Sequence, residues 1–151
     1  MPKEKSNKKA ILFWILTVLV MGIIFYLSSQ SADESSEQSG FLLNLIMKIF
    51  GSGFFTQFII RKLAHFCEFT LLCFLFNCSF YFTFEKPKKL LSLGLTSLYA
   101  LSDEIHQIFI EGRSCEFRDW VIDTLGALIG LIVFVLLSLI IKKCAESKRA
   151  K

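Results

Sequence analysis

The chain has 151 residues, of which 54% are hydrophobic and 17 are phenylalanine, and its mean hydropathy is +0.57. This apolar content excludes an ordinary water-soluble domain and points to a membrane protein. The formal net charge of +4 comes from lysines in short runs beside apolar segments, which is typical of membrane-flanking charge, so we expect no nucleic-acid partner. The five cysteines are odd in number and form no Cys-x-x-Cys pair, so we expect no disulfide framework.

Four apolar stretches are each close to the roughly 20 residues that cross a hydrocarbon core about 30 Å thick. They cover residues 10–27, 63–84, 90–110 and 120–141. Only helices satisfy their own backbone hydrogen bonds over that length in lipid. The predicted fold is therefore an all-α, integral membrane four-helix bundle, formed by one transmembrane domain over residues 1–151. The first stretch is either a signal peptide or a retained anchor, and its length favours the anchor.

The segment 28–62 is the long connection between the first two stretches. Within it, residues 41–50 are mostly apolar, with Asn44 and Lys48 on one helical face. Ten residues are too few to span, so we expect an additional short helix, interfacial or re-entrant, on the outer side of the membrane. An ordered loop is the alternative. A Gly-Ser-Gly sequence at 51–53 is expected to end the helix.

Basic residues are distributed unequally along the chain. Most of them precede the first stretch, separate the second from the third, or follow the fourth, and few acidic residues accompany them. With four spans these segments share one side, which the positive-inside rule identifies as cytoplasmic. We therefore expect a multi-pass plasma-membrane protein with both the N-terminus and the C-terminus in the cytoplasm.

Ionisable residues occur near the outer ends of the second, third and fourth stretches. Counted at about 1.5 Å per residue, they lie at one depth, within roughly 10 Å of the outer boundary. Each costs about 2.5–3.5 kcal/mol there, even on lenient insertion scales, unless it is paired or hydrated. A shared depth therefore indicates a functional site. Its candidate residues are Arg61, His65, Glu68, Asp103, Glu104, His106, Gln107, Arg113, Arg118, Asp119 and Asp123.

Helical geometry divides the residues of the third stretch between two faces. Asp103 shares a face with His106 and Gln107, whereas Glu104 points about 100° away and is expected to face a different partner. In the fourth stretch, Gly126 and the glycine four residues later form a G-x-x-x-G sequence. That spacing lets another helix approach closely, and we favour packing within the chain over dimerisation.

Two classes of function fit these candidate residues: a binding protein of the outer leaflet and an intramembrane enzyme. The candidates for binding an anionic head group such as a lipid pyrophosphate are Arg61, Gln107, Arg113, Arg118, Asp119 and Asp123. The candidates for acid/base catalysis are His65, Glu68, Asp103, Glu104 and His106. A purely structural alternative is that the three arginines pair with Glu68, Asp103 and Asp123 to hold the helices together.

No cofactor and no metal is expected, since the sequence contains neither a Gly-rich phosphate loop nor an established ligand motif. A metal-assisted variant is a further alternative. Its ligands would be His65, Glu68, Asp103 and His106, two nitrogen and two oxygen donors.

Three motifs follow one another along the chain. They are FYLSSQS at 25–31, RKLAHFCEF at 61–69 and DEIHQIF at 103–109, which leads through Gly112 and Arg113 to Asp119 and Gly126. In order and spacing they resemble the VanZ-like family, named for an accessory protein of glycopeptide-resistance clusters in Gram-positive bacteria that lowers sensitivity to teicoplanin-type antibiotics. Two residues depart from the usual family pattern, since Asp123 replaces Asn and Phe69 replaces Tyr. Asp123 keeps an acceptor but loses the amide donor.

The resemblance implies a VanZ-like plasma-membrane protein of the cell envelope. Such a protein is expected to lower sensitivity to lipoglycopeptide antibiotics by binding or shielding a lipid-linked or surface wall component at an outer-leaflet polar site. The expected partners are membrane lipids, together with a lipid-linked cell-wall precursor or a lipoglycopeptide. The alternative is an intramembrane hydrolase or transferase that acts on an envelope lipid or wall precursor.

Overall fold

A computed structural model describes residues 2–50 and 56–149, and over these residues the chain is helical with no strand. The helices are α1 (Pro2–Ser28), α2 (Ala32–Phe50), α3 (Gln57–Phe84), α4 (Lys89–Gln107) and α5 (Phe117–Arg149). Helices α1, α3, α4 and α5 correspond to the four predicted apolar stretches, and α2 is the additional helix. The predicted all-α fold is therefore confirmed.

Helix α3 lies at the centre of the bundle and packs against each of the other four helices. Helices α1 and α4 run parallel to each other, because later residues of α1 contact later residues of α4. The Tyr99 hydroxyl donates to the Met21 carbonyl at 2.7 Å, and further along the Ser28 hydroxyl donates to Asp103 Oδ2 at 2.8 Å. Helix α3 runs opposite to both, since the short connection 85–88 turns the chain back into α4.

Helix α5 packs closely against α3 at two glycines, which have no side chain to keep the two backbones apart. A Cβ atom added to Gly126 would lie 2.5 Å from the Phe66 carbonyl oxygen, and one added to Gly130 would overlap the Thr70 carbonyl oxygen. The Thr70 hydroxyl donates to the Gly126 carbonyl at 2.9 Å across the same contact. The G-x-x-x-G sequence therefore packs two helices of one chain, as predicted.

A mostly aromatic and aliphatic cluster forms the interior. Its buried members are Ile24, Phe69, Leu72, Phe76, Phe80 and Ala100. Large apolar side chains also cover the outside of the bundle, with Ile15, Leu98 and Ile141 exposed by 58%, 63% and 68%. An apolar exterior of this extent is unfavourable in water and suits contact with acyl chains.

Three helices are long and apolar enough to cross a membrane by length and composition. In the described part of the chain they are Asn7–Ser28, Gln57–Phe84 and Phe117–Lys148. Helix α4, also predicted as a span, is less apolar because polar residues such as Ser92 and Thr96 occupy its buried face. It still connects the same two ends of the bundle, and its 19 residues measure about 28 Å at about 1.5 Å per residue.

Helix α2 is longer than predicted, since it begins at Ala32 rather than at residue 41. Ser31 and Glu34 cap its first turn reciprocally. The Glu34 backbone N–H donates to Ser31 Oγ at 3.3 Å, and the Ser31 backbone N–H donates to Glu34 Oε2 at 2.9 Å. This capping box is readable as Ser-Ala-Asp-Glu and extends the helix through a polar segment. The predicted Gly-Ser-Gly end at 51–53 lies outside the described residues.

The other helix boundaries differ from prediction mainly at their polar ends. Helices α1, α3 and α5 extend beyond their apolar stretches, because hydropathy marks the part of a helix in lipid and not its hydrogen-bonded length. Helix α4 instead ends earlier, at Gln107 rather than residue 110. The connection 108–116 follows, and its first residues form turns.

Candidate functional site

The ends of α1 and α4 meet the beginnings of α3 and α5 at one end of the bundle. We call this the polar end, comprising residues 28–39, 56–68, 103–119 and Asp123. All eleven predicted site residues belong to it, although they do not share one pocket.

The connection between α4 and α5 docks onto the junction of α1 and α2. The Ala32 backbone N–H donates to the Glu111 carbonyl at 3.1 Å. Gly112 adopts a positive φ of +71°, and a Cβ atom there would approach the Ala32 Cβ atom to 2.8 Å. A glycine is required at this position by both conformation and space. The contact holds Arg113, the next residue, over the ends of the helices.

Two carboxylates of α4 are buried and hydrogen-bonded to different neighbours. Asp103 is 3% exposed, and its Oδ2 accepts from the hydroxyl of Ser28 at 2.8 Å and from Gln107 Nε2 at 3.2 Å. Glu104 is 2% exposed, and its Oε2 accepts from the Glu116 backbone N–H at 2.9 Å. The prediction that Asp103 and Glu104 face different partners is confirmed.

The bond from Ser28 to Asp103 joins α1 to α4 in a buried position. We expect Ser28→Ala to lower the free energy of unfolding by about 1–3 kcal/mol, since it leaves a buried acceptor short of one donor. Chemical denaturation in detergent measures the change. Ser102→Ala is the control, because this exposed serine donates only to the Tyr99 carbonyl of its own helix. Equal losses in the two variants would contradict the assigned role of Ser28.

Arg61 and Arg113 reach the interior of the polar end without carboxylate partners. Arg113 Nη2 donates to the Leu27 carbonyl at 3.3 Å, and its buried Nε has no hydrogen-bond partner within the described ranges. Neither arginine forms a salt bridge with any residue that the structure describes. Burial lowers the pKa of Arg113, and the positive charge of Arg61 lowers it further.

Arg118 is placed differently from the other two arginines. Its side chain is 73% exposed and pairs at 3.4 Å with Glu116, its near neighbour in sequence. In the described residues, therefore, no arginine joins two helices through Glu68, Asp103 or Asp123. The structural alternative, in which arginine–carboxylate pairs hold the bundle together, is wrong for this geometry.

A cavity of about 190 Å³ opens at the polar end between α3, α5 and the connection 108–116. We call it the charged cavity, because basic and acidic side chains both line it. Its charged lining includes Arg61, Lys62, Arg113, Glu104, Asp119 and Asp123. His65 and Gln107 also line it.

A second cavity of about 140 Å³ lies between α2 and α3. Arg61, His65 and Arg113 line both cavities and therefore form the wall between them. Glu68 lines only this second cavity, together with Ser39 and other polar and apolar residues of α2.

Several buried polar atoms of residues that line the charged cavity lack a hydrogen-bond partner among the described residues. They are His65 Nδ1, Arg113 Nε, Asp119 Oδ1 and Asp123 Oδ2, all buried. The second oxygen of Asp119 is paired with the Lys62 ammonium group. Buried polar atoms are nearly always satisfied in folded proteins, so a cluster of unsatisfied ones indicates a place for a ligand or for water.

The two histidines do not share a cavity. The His106 ring stacks on Phe25 with centroids 4.5 Å apart, and its Nε2 lies 3.1 Å from the Ser29 hydroxyl, on the α1 side. His65 lies in the wall between the cavities, with Nδ1 3.9 Å from Glu68 Oε2, which is too long for a hydrogen bond. Within the described ranges, no three His, Cys, Asp or Glu side chains are arranged to hold a metal ion.

Two residues of this site were not singled out by sequence reasoning. Lys62 pairs with Asp119, and Ser28 donates to Asp103. Both fall within the quoted motifs, at 61–69 and 25–31, so the signal was present. The motifs did not reveal which partner each residue meets, because that depends on helix rotation.

Comparison with known proteins identifies a family for the chain. The model of the VanZ/LLP1 family matches residues 13–138. This range contains all of α2, α3 and α4 and the whole polar end. No curated protein and no solved structure matches the chain. With most of its length covered by the family model and three helices apolar enough to span a bilayer, the chain is a membrane protein that belongs to the VanZ/LLP1 family.

Proposed function

We propose that this protein binds the anionic head group of a membrane lipid or lipid-linked wall precursor in the charged cavity. The supporting observation is that Arg61 and Arg113 reach one cavity from separate elements, and neither has a carboxylate partner among the described residues. The planar guanidinium group offers two parallel donors that match the oxygens of phosphate and carboxylate.

The electrostatics of the two arginines favour an anion between them. Both are positively charged and both are partly removed from water. Burial and the charge of Arg61 lower the pKa of Arg113, and the charges of Asp103, Glu104 and Glu68 offset only part of this. Like charges near each other in a medium less polar than water repel more strongly than in bulk solvent. A bound phosphate offsets this repulsion and supplies acceptors for the two guanidinium groups.

The size of the cavity supports a head group as the ligand rather than an entire antibiotic. Sites for drug-sized molecules usually measure about 300–1,000 Å³. The charged cavity, at about 190 Å³, accommodates a smaller group whose remainder lies outside in the bilayer or in solvent. A lipoglycopeptide exceeds this volume many times, so we propose the lipid or wall component as the ligand.

We further propose that the polar end faces the outside of the plasma membrane. The opposite end carries basic residues in the connection 85–88 and near both termini, including Lys86, Lys88, Lys142 and Lys143, which the positive-inside rule assigns to the cytoplasm. Both termini then lie in the cytoplasm. A head group held at the outer face is less accessible to lipoglycopeptides, which accounts for lowered sensitivity in a Gram-positive envelope.

The enzymatic alternative has less support from the geometry. General acid/base catalysis requires the acid, the base and their orienting group within hydrogen-bond reach of one substrate. His106 lies outside both cavities, and His65 is 3.9 Å from the nearest oxygen of Glu68. Binding requires only the arrangement of charges that the cavity already has.

A lipid-binding measurement tests the proposal. We expect Arg61→Gln to weaken the binding of dihexanoyl phosphatidylmethanol, an anionic phosphodiester, at least about tenfold, as the loss of one charge-assisted hydrogen bond implies. Isothermal titration calorimetry on the detergent-purified full chain measures the affinity. Arg118→Gln is the matched control and should retain it, since Arg118 is exposed and lines neither cavity. Equal weakening in both variants, or no binding by the unmodified protein, would refute the proposal.

A further inference from the structure

The wall of the charged cavity formed by α5 presents unsatisfied acceptors. Asp123 is only 2% exposed, and its Oδ2 has no hydrogen-bond partner among the residues described. The Oδ1 atom of Asp119, one turn earlier on α5, is also buried without a hydrogen-bond partner among the residues described. Both side chains line the cavity that also contains Arg61 and Arg113.

The cations of the protein leave this acidic wall incompletely paired. Lys62 is engaged with the other oxygen of Asp119, and in the described ranges neither Asp123 nor Glu104 has a salt bridge. Glu104 instead accepts a backbone N–H from Glu116. Taking a carboxylate out of water is unfavourable unless a cation or hydrogen-bond donors compensate it. A positively charged donor in the cavity would supply this compensation.

An ammonium group fits this requirement better than a metal ion. Within the described part of the chain, the acidic side chains are not arranged as a group of three metal ligands. A primary ammonium group carries three N–H donors and one positive charge. It donates to two separate carboxylates, such as those of Asp119 and Asp123 in the cavity lining, without the closed coordination shell that a metal requires.

We infer that the ligand of the charged cavity is a zwitterion, a phosphodiester linked to a primary ammonium group. The phosphate would lie at Arg61 and Arg113, and the ammonium would lie at Asp123 and Asp119. This inference rests on the proposed function and adds to it, because an anionic head group alone leaves the acidic wall without a partner. Both walls belong to one cavity of about 190 Å³, which is of the size for a single small group carrying both charges.

The phosphoethanolamine head group of a membrane lipid has this chemistry, and so does sn-glycero-3-phosphoethanolamine in solution. The test compares four ligands on the detergent-purified full chain. Dihexanoyl phosphatidylethanolamine carries both charges, and the phosphatidylcholine of the same chain length replaces the ammonium with a group that has no N–H donors. Dihexanoyl phosphatidylmethanol carries the phosphodiester alone. Glycerophosphoethanolamine is the soluble form, a phosphodiester without acyl chains.

We expect the unmodified protein to bind phosphatidylethanolamine at least about tenfold more tightly than phosphatidylcholine or phosphatidylmethanol. In Asp123→Asn, which keeps the size of the side chain, this preference, taken as the ratio of the two affinities in the same variant, should fall below about threefold. Asp33→Asn is the matched control, because Asp33 is exposed on α2 and lines neither cavity. It should retain the full preference.

The outcomes separate the inference from the function on which it rests. Binding of phosphatidylmethanol without any preference for phosphatidylethanolamine would overturn the inference of a zwitterionic ligand and leave the proposed head-group binding intact. A preference that survives Asp123→Asn would also overturn it. Absence of phosphatidylmethanol binding would overturn the proposed function itself. Should glycerophosphoethanolamine bind as tightly as the lipid, the source is water-soluble. Weaker binding identifies the lipid, provided that the preference for phosphatidylethanolamine is observed.

Discussion

Gly130→Val is expected to lower the free energy of unfolding by about 3 kcal/mol or more, because overpacking a tight contact displaces backbone rather than side chains. A Cβ atom at Gly130 would overlap the carbonyl oxygen of Thr70 on α3, and the neighbouring Cys73 Cβ atom would lie only 3.2 Å away. Neither helix can relieve the overlap by rotating a side chain. Helix α5 would have to move away from α3, and the bond from Thr70 to Gly126 would break with it.

Thermal unfolding of the purified protein in detergent measures this effect. Gly94→Val is the matched control, since it makes the same change in the bundle helix α4, where an added Cβ atom meets nothing within 4 Å. Any gain from replacing glycine by a residue of higher helix propensity applies to both variants and cancels in the comparison. Similar melting temperatures for the two variants would show that α5 does not pack closely on α3.

The double variant Arg61→Gln/Arg113→Gln is expected to abolish the lowered lipoglycopeptide sensitivity that we propose for this protein. Both guanidinium groups belong to the wall between the two cavities, and together they supply the positive charge that the proposed ligand requires. Because both would contact one head group, their contributions are coupled and need not add. Most of the loss is therefore expected from Arg61→Gln alone.

The measurement is the minimal inhibitory concentration of a teicoplanin-type antibiotic for a sensitive Gram-positive host that expresses each variant. Arg118→Gln serves as the control for removing one positive charge from the same end of the bundle. An immunoblot of the membrane fraction establishes equal amounts of protein. Full protection by the double variant would show that the arginines are not the source of the effect, and no protection by the unmodified protein would separate head-group binding from resistance.

The positions of the bundle helices were largely predictable from the sequence. The four apolar stretches became α1, α3, α4 and α5, since about 20 apolar residues in a row have few alternatives to a helix. The G-x-x-x-G sequence identified a close contact of α5 correctly. The start of α2 was also encoded, as the capping box of Ser31 and Glu34, but hydropathy does not register caps.

Which residues belong to the polar end was predictable from the sequence. How they divide between the two cavities and the α1 side was not. Depth along a helix follows from counting residues, which is why the candidates all lie at the polar end. The direction in which each side chain points depends on how a helix is rotated against its neighbours. This rotation sends Glu104 to the charged cavity and His106 to Phe25 and Ser29 on the α1 side, although the two are close in sequence.

The sequence by itself determined that this is an all-α membrane protein with charges gathered at one end, because hydropathy and spacing are local properties of the chain. The tertiary structure alone decided that Arg61 and Arg113 share a cavity with Asp119 and Asp123, and that within the described residues neither arginine forms a salt bridge. That outcome depends on contacts between distant segments, such as the docking of the connection 108–116 on Ala32. Such contacts arise only when the helices pack, and no local pattern encodes them.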